Sequence, residues 1–241
     1  MNDEQITIAM ASVPTREVGM KRVIQSLLGT CDNFDVYLNG YPSGYYTGVF
    51  DDPKITVYRS PPDLGARGKL YMAHRSLGYW LTVDDDLIYP PDYTYKMVQA
   101  VEKYHRQAVI GVHGVLFVKH PDPMQPQTRI LFSHATYLAH DLPVHMLGTG
   151  ILAYHSSTVM LDWRTMEPGK IDEQTAIVAQ ERRIPMLCIA HPDDWVTEDD
   201  ELKYRSALRR NIPASEAAVA RQQRQWDLYL PPSWKEYQKF P

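Results

Sequence analysis

Short apolar runs recur along this chain with helical patterns between several of them, and that alternation constrains the fold more than any other feature. Ile6-Thr-Ile-Ala-Met-Ala-Ser-Val13, Phe34-Asp-Val-Tyr-Leu38, Lys54-Ile-Thr-Val-Tyr58, Tyr79 to Val83, Val109 to Phe117, Gly148 to Tyr154 and Met186 to Ala190 read as strands. Pro14-Thr-Arg-Glu opens a helix in which Val18, Val23, Ile24, Leu27 and Leu28 recur at helical spacing. Further helical patterns cover Gly68 to Gly78, Pro91 to Arg106 and residues 172 to 183, the second carrying proline in its first turn. Strands separated by helices predict an α/β fold built on a mostly parallel sheet.

Residues 119 to 150 are rich in Pro, His and Gly with little periodicity, as expected of a substrate loop, and residues 199 to 230 read as a polar, mostly helical tail. With 241 residues, 44% hydrophobic, the chain is long enough for one sizeable domain or two small ones; without a repeat or a linker, one is expected. Cys31 and Cys188 have no metal or redox spacing, which points to a reducing compartment. The acidic start, Met1-Asn-Asp-Glu-Gln5, is unlike a signal peptide, and no apolar run approaches the roughly 18 residues of a membrane span. A cytoplasmic protein is the expectation. The net charge of -4 argues against a whole-molecule polyanion binder while leaving room for a local basic face.

Three adjacent carboxylates, Asp84, Asp85 and Asp86, follow the apolar run that ends at Val83, within Thr82-Val-Asp-Asp-Asp-Leu-Ile-Tyr-Pro-Pro-Asp-Tyr93. They stand at a strand's carboxyl end, the edge where open α/β sheets bind ligands. Along an extended segment Asp84 and Asp86 would point together and Asp85 away. Two such carboxylates suit Mg²⁺ or Mn²⁺ completed by the oxygens of a bound diphosphate; a solvated turn that starts a helix is the other reading. Upstream, Asp63-Leu-Gly-Ala-Arg-Gly-Lys69 puts flexible backbone and two cations before a helical pattern, where N–H groups favour phosphate. Arg67 and Lys69 are candidate diphosphate contacts, or the glycines permit a tight turn and both cations are solvated.

In this order, "IAMASVPTR", "VYLNGY", "KITVYRS", "DLGARGK", "GYWLTVDDDLIYPPDY", "HGVLF" and "LGTG" resemble bacterial and phage GT-A glycosyltransferases of the family-2 type, over residues 6 to 196. The resemblance implies a Rossmann-like GT-A domain over residues 1–198 and a helical extension over 199–241. It places a nucleotide-sugar half at about 1–90 and an acceptor half at about 91–198. Asp84-Asp85-Asp86 matches the family's Asp-x-Asp, whose implied role is to bind a divalent cation through Asp84 and Asp86 and the nucleotide-sugar through Asp84 and Asp85. Ser12, Pro14, Thr15 and Arg16 would line the base and ribose, with Asn39 at the end of the second strand; Arg16 fits a surface helix position equally well.

Inverting transfer needs a group to take the acceptor hydroxyl's proton. Gly169-Lys-Ile-Asp-Glu-Gln-Thr-Ala-Ile-Val-Ala-Gln180 resembles the family's acceptor-site segment, with Asp172 the candidate base and Glu173 the fallback. Here Asp-Glu stands where many relatives carry Glu-Asp, and an N-cap is the structural alternative. His191 would be a third metal ligand, as a late histidine is in some GT-A enzymes, or a structural histidine at a strand end. Trp195, Tyr154, His155, His113 and His134 are expected in or near the acceptor cleft, mostly as packing. The implied donor is a nucleoside-diphosphate sugar, UDP-sugar first; the acceptor is a glycan or lipid-linked glycan, as in capsule or lipopolysaccharide assembly. The tail cations Lys203, Arg205, Arg209, Arg210, Arg221 and Arg224 fit a membrane surface bearing such an acceptor, or DNA with hydroxymethylated bases, or a solvated helix packing Leu208, Val219, Trp226 and Leu228. A nucleotide-binding module without transfer activity is a further alternative.

Overall fold

The structure is a computed structural model and describes residues 4–59, 63–118, 128–203 and 226–230. In chain order the strands and helices are β1 (Ile6–Ser12), α1 (Glu17–Leu27), β2 (Asn33–Leu38), β3 (Ile55–Tyr58), β4 (Tyr79–Val83), β5 (Leu87–Ile88), α2 (Tyr93–Lys103), β6 (Val109–Gly111), β7 (Gly114–Val118), β8 (Thr128–Phe132), β9 (Leu142–Pro143), β10 (Met146–Leu147), β11 (Ile151–His155), α3 (Ile171–Glu181), β12 (Met186–Cys188), β13 (Thr197–Glu198) and α4 (Asp200–Lys203).

Eight strands form the main sheet in the order β3-β2-β1-β4-β11-β6-β12-β9. The first four are mutually parallel, β11 runs antiparallel between β4 and β6, β12 is parallel to β6, and β9 closes the far edge antiparallel. The alternation of side chains along each strand decides what covers each face. Ile8, Met10, Leu81 and Val83 pack with Met20, Val23, Ile24 and Leu27 of α1 and Met97 and Val101 of α2. Their neighbours Ala9, Trp80, Leu152 and Tyr154 pack on the other face with Ile171, Ala176 and Ala179 of α3. Each fully buried Leu, Ile, Val or Met contributes about 1.5–3 kcal/mol, so both layers are firmly seated. The result is a mixed α/β, Rossmann-like domain, and its sheet runs unbroken across residue 90 through the pairing of β4 with β11.

Several elements differ from the sequence pattern. Gly68 to Gly78 is a 3₁₀ turn over Gly65–Leu70 followed by further turns, with no α-helix. Positive φ at Gly65 and Gly78 breaks the pattern at both ends, and Gly68 lies so close to Tyr37 that a Cβ there would meet the ring at 2.6 Å. Val109 to Phe117 divides into β6 and β7, because the chain leaves the main sheet after Gly111 to pair with β8 and β10 in a separate three-stranded sheet. Period-two patterning looks the same on either side of such a break. In the 119–150 segment, residues 119–127 lie outside the described residues, and the remainder contributes β8, β9 and β10. Of the expected helical tail, α4 is present and Trp226–Leu230 is non-helical, with Trp226 stacked on Phe117 at 5.0 Å. Arg205, Leu208, Arg209, Arg210, Val219, Arg221 and Arg224 lie outside the described residues. Cys31 and Cys188 are buried free thiols, both pushed up to about 12 by burial, which leaves them inert as nucleophiles.

Candidate functional site

The carboxyl ends of β1, β2 and β4 open onto one edge of the sheet, and the sequence-predicted residues of those strands gather there. Strand β4 ends at Val83, and residues 85–86 form a turn into β5. Turn geometry overrides the expected alternation of the three acids. One guanidinium, that of Arg16, reaches both Asp85 (2.9 Å) and Asp86 (3.1 Å), so these neighbours do not face opposite ways. Asp84 is held separately by the ammonium of Lys69.

Burial separates the three further. The Asp85 side chain is only 3% exposed, whereas those of Asp84 and Asp86 are 34% and 27% exposed. Burial raises the Asp85 carboxyl to about 6, against the opposing pull of the Ser12 hydroxyl and the Arg16 guanidinium. Burial in turn disfavours charge on Arg16, but Asp85 and Asp86 outweigh it and hold the guanidinium above its ordinary value. Asp85 is therefore the structural anchor that fixes Arg16, and Asp84 and Asp86 are the acids that face solvent. Arg16 closes the 3₁₀ turn Pro14–Arg16, on which Pro14 and Thr15 are exposed.

Asn39 and Arg67 brace the loop after β3. The Asn39 side chain accepts from the N–H groups of Leu64 and Gly65, both at 2.9 Å, and donates to the Gly65 carbonyl at 3.2 Å. Arg67 donates to the Met166 carbonyl at 2.7 Å and to that of Leu64 at 3.3 Å. Asn39 is buried, and its side-chain amide is turned to the backbone of this loop.

Lys69 is buried, at 3% side-chain exposure, and besides Asp84 it reaches the Thr149 carbonyl at 3.3 Å. The Thr149 backbone N–H donates to Asp172 at 2.9 Å, and its hydroxyl donates to the same carboxylate oxygen. Asp172 stands in the first turn of α3, as does Glu173. Gly150, the next residue, seats Asp84: a Cβ there would lie 2.0 Å from its Oδ2. Tyr89 completes the seat, its hydroxyl accepting from the Asp84 N–H and donating to the Gly150 carbonyl, both at 2.7 Å. Two acids distant in sequence, Asp84 and Asp172, therefore belong to one short network through Lys69, Thr149 and Gly150. Thr149, Gly150 and Tyr89 carry this network without having been assigned roles from sequence; the "LGTG" and "YPPDY" strings were visible, but the partners of their residues were not.

Asp84 and Asp86 are each partly open to solvent and carry the hard oxygens that Mg²⁺ or Mn²⁺ prefers, and each is paired with a cation, Lys69 and Arg16 respectively. Among the described residues no three His, Cys, Asp or Glu side chains cluster into a closed cage. His191 is buried beside Trp195, with ring centroids 6.5 Å apart, and bridges Leu138 through its backbone. Trp195 donates to Asp92 at 3.0 Å and lies under Lys96, as a packing residue would. Tyr154 and His155 are not at this edge: they pair with Trp80 and Tyr79 at the opposite end of β4, because β11 runs antiparallel. His113 and His134 contact each other at 3.3 Å. His134, with Ser133, Ile88 and Glu198, lines a cleft of about 730 Å³. It adjoins the acidic turn, where the Asp199 N–H donates to the Asp86 carbonyl at 2.9 Å.

No family model matches this chain, and no curated protein matches it by sequence. Among solved structures it is similar to a 4-diphosphocytidyl-2C-methyl-D-erythritol synthase at 8% identity and TM-score 0.52, over 86% of this chain and 99% of that one. The synthase of that kind from Anaerococcus prevotii matches at 8% identity and TM-score 0.51, over 87% and 100%. A CMP:2-keto-3-deoxy-manno-octonic acid synthetase complexed with CTP aligns at 10% identity and TM-score 0.47, over 76% and 88%. At these identities the first two define the fold: a mixed α/β domain with a large, mostly parallel sheet flanked by helices.

Proposed function

We propose that the protein is a metal-dependent glycosyltransferase that moves a sugar from a nucleoside-diphosphate sugar, UDP-sugar first, to an acceptor hydroxyl with inversion. The single observation that carries this is the network joining Asp84 to Asp172 through Lys69 and Thr149. It supports the reading because it joins an acid partly open to solvent and a buried lysine to a separate carboxylate, and inverting transfer needs a metal-and-diphosphate position beside such a base. Asp84 and Asp86 would hold Mn²⁺ or Mg²⁺, which neutralises the departing diphosphate. Arg16 orients the acidic turn, and Ser12, Pro14 and Thr15 border the nucleoside at the end of β1. Lys69 supplies positive charge to the diphosphate, with Arg67 and Asn39 shaping the loop that carries it. Asp172, turned by Thr149, takes the acceptor proton; Glu173 is the neighbouring alternative. His191 as a further ligand would require rearrangement, since its ring is buried and, among the described residues, does not cluster with the acids of the turn. The acceptor, a glycan or lipid-linked glycan, enters from the side of the cleft lined by Ser133, His134 and Glu198.

The fold's occurrence in synthases of a diphosphocytidyl compound favours a second reading, in which the same edge binds a nucleotide and phosphorus is the atom attacked. Calorimetric titration of UDP, GDP, CDP and dTDP with Mn²⁺ or with EDTA, repeated on Asp86→Ala, tests nucleotide binding. One metal-dependent winner lost in the variant supports the site; absence of binding by all four overturns the glycosyltransferase reading, and absence of binding by the corresponding triphosphates overturns the second. Product analysis then separates them, because glycosyl transfer releases a nucleoside diphosphate and nucleotidyl transfer releases pyrophosphate.

A further inference from the structure

We propose that Lys69 is an exchange cation: it neutralises Asp84 while no divalent cation is bound, and turns to the donor's diphosphate when such a cation takes Asp84. This rests on the nucleotide-diphosphate reading above and assigns that site its order of assembly.

The Lys69–Asp84 pair is asymmetric. The lysine side chain is 3% exposed and the aspartate 34%, so a cation arriving from solvent meets the carboxylate and not the ammonium. On that carboxylate, Oδ1 is the atom paired with Lys69, while Oδ2 sits over Gly150, 2.0 Å from where a Cβ would stand. A cation that takes Oδ1, or both oxygens, must therefore compete with Lys69. Arg16 cannot relieve the lysine's need for an anion, being a cation itself and engaged with Asp85 and Asp86. The other Lys69 partner, the Thr149 carbonyl at 3.3 Å, is a dipole and does not replace a full charge. A buried ammonium stripped of its anion is strongly disfavoured. A divalent cation alone is thus held back by the cost to Lys69, and a diphosphate alone finds Lys69 already neutralised. Together each removes the other's obstacle: the cation frees Lys69 and the phosphate supplies its new anion. Coupling of this kind is reciprocal and typically changes affinities by roughly 5–150-fold.

An ion pair that takes no part in cation or diphosphate binding predicts no gain in either affinity for its variants, which gives the test its sign. Free Mn²⁺ measured by electron paramagnetic resonance reports cation affinity without nucleotide, and calorimetry with inorganic pyrophosphate in EDTA reports anion affinity without metal. The Lys69→Met protein is expected to bind Mn²⁺ alone about tenfold more tightly than wild type. The Asp84→Asn protein, which leaves Lys69 without a carboxylate, is expected to bind pyrophosphate in EDTA at least about fivefold more tightly. Equal or weaker binding in either comparison overturns the exchange. Where Lys69→Met is too unstable to titrate, Asp84→Asn decides alone. Both probes lack nucleoside and sugar, so failure of the glycosyltransferase reading, seen as no nucleotide binding by wild type, leaves these comparisons interpretable.

Discussion

Replacing Gly19 by Ala sets helix propensity against packing and so reads out whether α1 truly presses on the acidic turn. In an exposed helix interior, glycine to alanine stabilises by about 1 kcal/mol. Gly19 is buried on α1, and a Cβ there would lie 1.9 Å from the backbone oxygen of Asp85 and 2.3 Å from a Leu202 methyl. Ordinary contact begins near 3.4 Å, so the helix and the turn must separate by about 1.5 Å, the difference between 3.4 and 1.9. The leucine can rotate away; a carbonyl in a turn locked by Arg16 cannot. Overpacking of this kind costs typically ~1–3 kcal/mol and sometimes more. Set against the propensity gain, the net expectation is a loss of about 0–2 kcal/mol, or a fall in Tm of up to roughly 8 °C at the ~2–4 °C per kcal/mol expected for a domain of this size. Urea unfolding with an unchanged slope measures it. Gly29→Ala is the control, since nothing lies within 4 Å of a Cβ at that helical position, and it should be neutral or slightly stabilising. A Gly19→Ala protein more stable than wild type would refute the close approach of α1 to Asp85.

Asp172→Asn should lower kcat by about 10²–10⁴-fold with nucleotide affinity unchanged, as expected for loss of a general base, checked by steady-state kinetics beside calorimetry. Thr149→Val keeps the backbone donor to Asp172 and removes the hydroxyl one, so a smaller loss in kcat than that of Asp172→Asn is expected from the same kinetics. Asn39→Ala leaves the N–H groups of Leu64 and Gly65 without their acceptor, and a loss of about 1–3 kcal/mol is expected by chemical denaturation. Asp35 on β2 is raised to about 7 by burial, so the folded state holds its proton more tightly than the unfolded one. Its stabilising contribution is full below about pH 4 and is lost as pH rises through 7. At about 1.4 kcal/mol per pKa unit, discounted for partial solvent access, this amounts to a few kcal/mol at most. Asp35→Asn should flatten the fall in stability between about pH 4 and 7; an unchanged pH dependence counts against the buried carboxyl.

The fold was legible where local patterning and tertiary environment agree. The runs at Ile6, Phe34, Lys54 and Tyr79 form the parallel half of the sheet, and the helix after Pro14 lies where its apolar spacing put it. Legibility failed where glycine or a change of sheet decided the path, as between Gly65 and Gly78 and between Gly111 and Gly114. At the site, the acids and the cations could be named from sequence, but not who holds whom. Period-two reasoning paired Asp84 with Asp86, whereas a turn lets one guanidinium span Asp85 and Asp86. The direction of β11 likewise decided that His155 faces away from the site while Gly150 faces it, and nothing in a strand's own sequence states its direction.

Three carboxylates in a row at the end of a buried strand are tolerable only if the fold returns charge to them. Arg16 comes from the segment after β1 and Lys69 from the segment after β3, so the two cations reach the end of β4 from positions 69 and 15 residues away along the chain. That is why Asp84 to Asp86 is not a solvated turn: a solvated turn needs no buried lysine and raises no carboxyl to about 6. Two cations against three acids leave the edge one negative charge in excess when all are ionised, and the exposure of Asp84 and Asp86 turns that excess toward solvent. Such an edge draws small cations toward it from solvent, but at Asp84 a cation must displace Lys69, and a diphosphate is favoured only once a cation has reversed the local sign. If the proposed reading holds, the same electrostatics that stabilise the strand end make nucleotide binding conditional on a divalent cation, so EDTA should abolish nucleotide binding in calorimetry while leaving the unfolding transition of the domain in place.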